Sequence, residues 1–375
     1  MNRVYLDHNS TTPIRPEVRA ALIATLDELG GNPSSVHASG RRARHLLDEA
    51  RERAAAALGV HEDELVFTSG GTEANNLAVL GALNAAGPGA RLVTTAIEHS
   101  SVLEPAQALA NAGRPVDFVG VDRRGLLDPA EVARRAAGAR LVSVMAANNE
   151  IGTLAPIAEL ARTHDRGWLL HTDAVQALGR VDLRLAEWGV DLASFSMHKL
   201  GGPVGVGVLF RRKGVELAPL VRGGGQENGV RPGTENVAGI VASALAIELA
   251  VREREALAPR LEALSHGLWR ELHAALPKLQ LVGPALGEGG RLPGTLNVLA
   301  PHVDGKVLVT RLDLAGLEVS AGSACASGSL EPSHVLLALG FARDEARAAL
   351  RLSFGRANTL EDVHNAVEIL RRTLG

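Results

Sequence analysis

DLASFSMHKLGGP, Asp191 to Pro203, decides how the chain is read. Its first half is a short apolar run of strand character, and its second half ends in Gly201, Gly202 and Pro203, which force a turn. Lys199 stands between the two. The chain has only four lysines, Lys199, Lys213, Lys278 and Lys306, and the other three sit in polar or turn contexts. A lysine at the end of a buried strand is partly desolvated, and a charged His198 beside it would add a cationic neighbour. Both effects lower an amine's pKa towards the neutral form that attacks a carbonyl and forms a Schiff base. Taken alone, a strand ending in a solvated lysine is the commoner case.

Working outward, six more apolar runs share the strand character of Asp191–Ser196. They are LVFTS from Leu65, RLVTTA from Arg91, PVDFVGV from Pro115, RLVSVMA from Arg140, GWLLHTD from Gly167 and VGVGVLF from Val204. Helical stretches separate most of them, the pattern of a mostly parallel sheet flanked by helices in an α/β fold. Active sites in such sheets gather at the carboxyl ends of the strands. Before the first run, Arg41–Leu58 has the apolar spacing of an amphipathic helix. After the last, a helix from Glu235 to Arg254 leads to a region of different rhythm. It has a helix over Leu261–Leu276, strands near Leu279 and Thr295, a helix over Gly305–Leu314 and a last helix from Leu360. The expected division is a large domain over residues 15–255 and a smaller α+β domain over 256–375 joined by residues 1–14.

The whole chain narrows the function classes. Its 375 residues are long enough for a large core, and a hydrophobic content of 46% is that of a globular protein. A formal net charge of −3 gives no basic footprint for nucleic acid, and no apolar run is long enough to span a bilayer. The start MNRVYLDHNSTTP has no signal-like core, so the chain is expected to begin near Met1 and to work in the cytoplasm. One cysteine, Cys325, excludes an intrachain disulfide and any cysteine-cluster metal site within one chain.

Polar clusters follow the strands. In FTSGGTEANN, Phe67–Asn76, a strand runs through two glycines into a helix start, where backbone N–H groups and the helix dipole favour an anion such as phosphate. An ordinary N-cap is the commoner meaning of that pattern. HTDAVQALG puts Asp173 just past a strand, where a carboxylate can keep a pyridine nitrogen protonated. Gln176, three residues on, can reach a phenolic oxygen on the same ring. His99 in EHSSV can stack on that ring and exchange protons, and Asn148 in ANNEIGT follows another strand. Each is individually as easily a satisfied loop residue. Cys325 lies among Gly and Ser in SAGSACASGSLEPSHVL, a composition unlike a packed element, and a thiol on a flexible loop can enter a pocket and carry something out. Arg351, opening RLSFGR, is placed to clamp a carboxylate through a bidentate pair of hydrogen bonds.

In combination, YLDHNSTTP, GNPSSVH, FTSGGTEANN, EHSSV, ANNEIGT, HTDAVQALG, SFSMHK, GGGQENGVRPGTEN, SAGSACASGSLEPSHVLLALG and RLSFGR stand in the order found in the cysteine desulfurases. These are a branch of the class V pyridoxal-phosphate aminotransferases. The resemblance runs from Tyr5 past Arg356, and the long cysteine loop resembles the subgroup in which that loop is mobile. It implies the fold type I architecture of pyridoxal-phosphate-dependent transferases and a homodimer. Lys199 would hold the cofactor, Asp173 would pair with the pyridine nitrogen, Gln176 would contact the phenolic oxygen and His99 would stack on the ring. Gly71, Thr72, Ser196 and His198 would hold the phosphate, with Thr234 reaching over from the second subunit. Asn148 and Arg351 would bind the carboxylate of L-cysteine. Cys325 would take the sulfur as a persulfide, release alanine, and pass the sulfur to an acceptor protein such as an iron–sulfur scaffold, a sulfur carrier or a tRNA-thiolating enzyme. A transient iron–sulfur contact at Cys325 belongs to the same implication. The alternative is a selenocysteine lyase or another pyridoxal-phosphate reaction on the same fold. Met197, Gly201, Val204 and Ser10 depart from the family pattern, where a small residue, a bulky ring, a Lys and an Ala are usual; they bear on rate or acceptor choice more than on reaction type.

Overall fold

In the computed structural model, described over residues 3–163, 167–301, 303–322 and 331–375, the seven apolar runs form one sheet. Across it the strands are ordered Leu65–Thr68, Gly207–Arg211, Leu192–Ser196, Leu169–Asp173, Leu141–Ser143, Leu92–Thr95 and Val116–Val119. Gly207–Arg211 pairs antiparallel with both of its neighbours, and every other pairing is parallel. Most of these strands are buried on both faces, which is why they read as continuous apolar runs rather than as alternation. The carboxyl ends of all but Gly207–Arg211 therefore point to one rim.

A second, three-stranded antiparallel sheet joins Gln280–Val282, Thr295–Leu299 and Ala349–Ser353. Its apolar face packs with Leu261, Leu264, Leu268 and Leu272 and with the closing helix Leu360–Leu374. Val4 and Leu6 join that core, and Val4–Tyr5 pairs in parallel with Leu317–Glu318. Residues 4–6 thus pack with the second sheet, whereas Asn9, Ser10 and Thr12 bond to the turn after Leu192–Ser196.

Two features differ from the expectation. The helix expected to end at Arg254 continues as one element, Val237–Ala275, with Pro259 inside it. Proline removes one intrahelical donor and crowds the preceding turn, but packing on both sides outweighs that cost. Ala242, Ala246 and Leu249 are buried against Val18, while Leu261 to Leu272 are buried in the second core. Pro16–Glu28 is also a helix, started by Pro16 at its first position, where the missing N–H has no intrahelical acceptor to satisfy. Among the described residues, no helix is long and apolar enough to cross a membrane.

Candidate active site

Strand ends and the turns that follow them build one cavity. Leu192–Ser196 runs into a tight turn, Met197–Leu200, that closes on Gly201 in the left-handed region at φ 75°. A Cβ at Gly201 would also lie 2.7 Å from the Cγ of Arg15, so glycine fits both the turn and its neighbour. The turn puts Ser196, His198 and Lys199 into the cavity wall. Next to it, Leu169–Asp173 delivers Asp173 and, one turn later, Gln176. Gly71 and Thr72 open a helix that continues through a wider turn at Leu77–Gly81 to Ala86. His99 caps the helix Ser100–Asn111, and Arg351 enters from the small sheet.

Hydrogen bonds fix the acidic side of this wall. Asp173 is buried; its Oδ1 accepts from the Val175 N–H at 3.0 Å and its Oδ2 from Asn75 Nδ2 at 2.7 Å. Asn75 Nδ2 also donates to Ser101 Oγ at 2.7 Å, and Ser101 Oγ lies 2.8 Å from His99 Nδ1. Because His99 Nδ1 accepts the Ser101 N–H at 3.1 Å, a neutral His99 carries its proton on Nε2. Behind them lies Glu98, fully buried. Its Oε1 accepts from Thr95 Oγ1 at 2.7 Å and from the Met145 N–H at 2.9 Å, while its Oε2 has no partner among the described residues. Burial drives the Glu98 carboxyl up to about 8, against the pull of those two donors and with help from the negative charge of Asp173. Glu98 is therefore held neutral at neutral pH.

The basic side is arranged around the N-terminal turn. Lys199 Nζ donates to the backbone oxygens of Asn9 at 2.6 Å and Ser10 at 2.5 Å. His198, half-buried, is pushed down to about 4 by burial and by the charge of Lys199. It is neutral at neutral pH, so the cationic neighbour expected to lower the Lys199 pKa is not there. Arg351 is 1% exposed. Its Nη2 donates to Asp7 Oδ1 at 2.8 Å and Ser10 Oγ at 2.6 Å, its Nη1 to the Asn149 carbonyl at 3.1 Å, and its Nε has no partner among the described residues.

Of the expected site residues, Gly71, Thr72, His99, Asp173, Gln176, Ser196, His198, Lys199 and Arg351 line this one cavity. Asn148 does not. Its Nδ2 donates to the Ile97 carbonyl at 2.9 Å, and its Oδ1 accepts from the N–H groups of Glu150 and Ile151, at 2.9 and 3.0 Å. Asn148 thereby shapes the turn, and Asn149 stands in the wall. Thr234 is exposed and is not among the residues lining this cavity; it lies on a loop tied down by the ion pairs Arg51–Glu227 at 2.6 Å and Arg231–Glu73 at 2.9 Å. Cys325 lies outside the described residues. On either side of its segment, Ser320 exchanges backbone hydrogen bonds with Arg351, and Ser333 Oγ donates to Glu150 Oε2 at 2.5 Å. Asn9, Ser10, Asn75, Ser101, Met145, Asn149 and Val175 also line the cavity, though sequence reasoning gave them no role. For Asn75 a signal existed, since four residues from Gly71 is one helical turn.

The chemistry of the wall suits a flat, phosphorylated aldehyde. Thr72, Ser196 and His198 supply hydroxyl and imidazole groups to it, Asp173 a carboxylate and Lys199 an amine. Gly71 keeps the wall open, since a Cβ there would meet Val175 at 2.9 Å and Ser196 at 3.2 Å. The buried Oε1 of Gln176 has no partner among the described residues.

A model of the family described as "Aminotransferase class-V" matches residues 4–366. The chain belongs to the class-V aminotransferase family. Within the family it stands with the cysteine desulfurases. It is 44% identical over 374 residues, 99% of this chain and 94% of the other, to "Cysteine desulfurase IscS" of Dictyoglomus turgidum. A solved structure titled "NIFS-LIKE PROTEIN" superposes with a TM-score of 0.92 at 38% identity, covering 99% of both chains. Another, "SspA in complex with cysteine", has a TM-score of 0.78 at 29% identity over 94% of this chain and 98% of that one. Membership in the class-V family implies pyridoxal phosphate as cofactor. The mixed seven-stranded sheet with its smaller antiparallel companion is this family's architecture.

Proposed function

We propose that this cysteine desulfurase takes L-cysteine as substrate, holds pyridoxal 5′-phosphate on Lys199, and carries the sulfur on Cys325 to an acceptor protein. One observation supports this reading above the others: a single cavity gathers an amine, a donor-held carboxylate, and a buried guanidinium that can exchange partners. When bound, the cofactor supplies a ring that withdraws electrons from the substrate's α-carbon. Asp173 would keep the ring nitrogen protonated, Gln176 would contact the phenolic oxygen and His99 would stack on the ring. Gly71, Thr72, Ser196 and His198 hold the phosphate, and Thr234 of a second copy completes it, as its exposure on a braced loop supports. Arg351 binds the substrate carboxylate, and Asn148 acts one step back by shaping the turn that presents Asn149. Lys199 moves the proton at the α-carbon.

The Cys325 thiolate then attacks the substrate's sulfur. A sulfur–sulfur bond forms, the carbon–sulfur bond breaks, its electron pair stays on the carbon side, and protonation there gives alanine. The acceptor is an iron–sulfur scaffold, a sulfur carrier or a tRNA-thiolating protein.

Mass spectrometry after exposure to cysteine tests this reading. One extra sulfur is expected on Cys325, with none on the Cys325→Ser variant. Full sulfide delivery to an acceptor by that variant would refute the nucleophile. Borohydride reduction should fix the cofactor on Lys199, and recovery of the label on Lys213, Lys278 or Lys306 would refute the amine.

A further inference from the structure

Asn9 is 1% exposed, and all its polar atoms are engaged. Its N–H donates to Ser353 Oγ at 2.9 Å, and its Nδ2 donates to Thr295 Oγ1 and to the Asn149 carbonyl, both at 3.1 Å. Its Oδ1 accepts from Arg180 Nη1 at 2.7 Å. Its carbonyl accepts from Gln176 Nε2 at 3.0 Å and from Lys199 Nζ at 2.6 Å. Ser353 and Thr295 belong to the small sheet, whereas Gln176, Arg180 and Lys199 follow strands of the large one. One side chain thus sets where the Asn9 and Ser10 carbonyls stand relative to the amine.

That placement matters to Lys199, which lines two cavities. Asp173 and Arg351, with His99 and His198, face it from one side; Arg15, Arg180 and Arg356, with His8, face it from the other. Burial holds His8 and His198 near 4, so both are neutral, and Arg15 is paired with Glu253 at 3.0 Å. Arg351 is paired with Asp7 at 2.8 Å and Arg356 lies 4.0 Å from Glu17, so these cations are largely neutralised by carboxylates of their own. What seats an ammonium there is the pair of carbonyls on adjacent residues, because a carbonyl only accepts and an ammonium offers three donors.

We propose that Asn9 is a positioning residue for the amine chemistry: it sets the Asn9–Ser10 carbonyl pair as the seat of the Lys199 ammonium whenever that amine is not bonded to the cofactor. This rests on Lys199 being the cofactor amine. Leaving the seat requires giving up a proton and both hydrogen bonds, so Asn9 governs how readily the amine becomes a nucleophile or base.

The test is competitive acylation of full-length, cofactor-free protein at pH 8 with limiting acetic anhydride. Mass spectrometry reads Lys199 against the exposed Lys213 in the same molecule. Asn9→Ala should raise the Lys199 to Lys213 ratio at least about fivefold, because loosening the pair weakens its hold on the charged form. Asn9→Asp keeps an acceptor for Arg180 and should raise it less. If Asn9→Ala does not fold, Thr295→Val removes an acceptor of Asn9 Nδ2 without changing any charge and should raise the ratio in the same direction. An unchanged ratio in a folded variant with a lowered thermal midpoint would overturn the proposal, leaving Asn9 a purely structural tie. A borohydride label on another lysine would sink the reading of Lys199 without altering this ratio.

Discussion

Glu98→Gln isolates the electrostatics behind the cavity wall. In the folded protein burial lifts the Glu98 carboxyl from 4.5 to about 8, so the native state keeps a proton that the unfolded chain gives up above pH 4.5. The stability this proton confers is complete below pH 4.5 and is lost as pH rises towards 8. A tenfold difference in proton affinity between the folded and unfolded states is worth about 1.4 kcal/mol, so between pH 5.5 and 7.5 the wild type loses about 2.5 kcal/mol through this one group. Glutamine does not titrate, and its carbonyl can accept from Thr95 and Met145 as Oε1 does. Any fixed cost of its unpartnered amide is the same at every pH, and the buried histidines cancel in the comparison. Urea unfolding of cofactor-free wild type and variant at both pH values should therefore show the variant gaining about 2.5 kcal/mol on the wild type at the higher pH. A difference that stays constant within about 0.5 kcal/mol would mean that Glu98 is ionised when folded, and the assignment of the neutral carboxyl would fail.

Ser10→Ala removes one of the two acceptors that occupy Arg351 Nη2, which must be surrendered before a substrate carboxylate can bind there. Losing a competing bond of about 0.5–1.5 kcal/mol should lower the KM for cysteine by roughly two- to tenfold with kcat little changed, and a raised KM would refute that competition. Arg351→Lys keeps the charge but cannot reproduce the fork, and at about 1.5–3 kcal/mol per charged bond it should weaken steady-state cysteine use by at least roughly tenfold. Kinetics equal to wild type would place the carboxylate elsewhere. His171, bridged between Ser143 and Ser194, is pushed by burial down to about 3, and His8 and His198 are held near 4. A histidine with a lowered folded pKa stabilises above pH 6.5 and stops doing so as pH falls towards its folded value. The thermal midpoint should drop between pH 6.5 and 4, and a flat profile there would contradict these burials.

The large sheet was legible because its strands are buried on both faces and so announce themselves as apolar runs. The helix Val237–Ala275 was not, because Pro259 is a local signal for a break, whereas the packing that overrides it comes from residues far apart in sequence. Lys199 could be found from four candidates and a strand end. The choice between Asn148 and Asn149 could not be made, since two identical adjacent residues differ only in which way the turn points each of them. Asn9 was harder still. What it offers the amine is a backbone carbonyl, a group every residue has, so no residue type could flag it.

The two sheets divide the work along chemical lines. The groups proposed for the cofactor ring, Asp173, Gln176, His99 and Lys199, all follow strands of the large sheet, whose largely buried strands fix their spacing. The group proposed for the substrate carboxylate, Arg351, comes from the small sheet, and its partner Asp7 comes from the N-terminal segment that packs with it. A shift of the small sheet against the large one would therefore change how the carboxylate is held while leaving the ring's surroundings intact. Asn9 resists such a shift, since it bonds to Ser353 and Thr295 on one side and to Arg180, Gln176 and Lys199 on the other. Substrate placement and amine placement are coupled through that one residue. Asn9 variants should accordingly alter the KM for cysteine and Lys199 reactivity together, whereas Ser10→Ala should alter the KM alone.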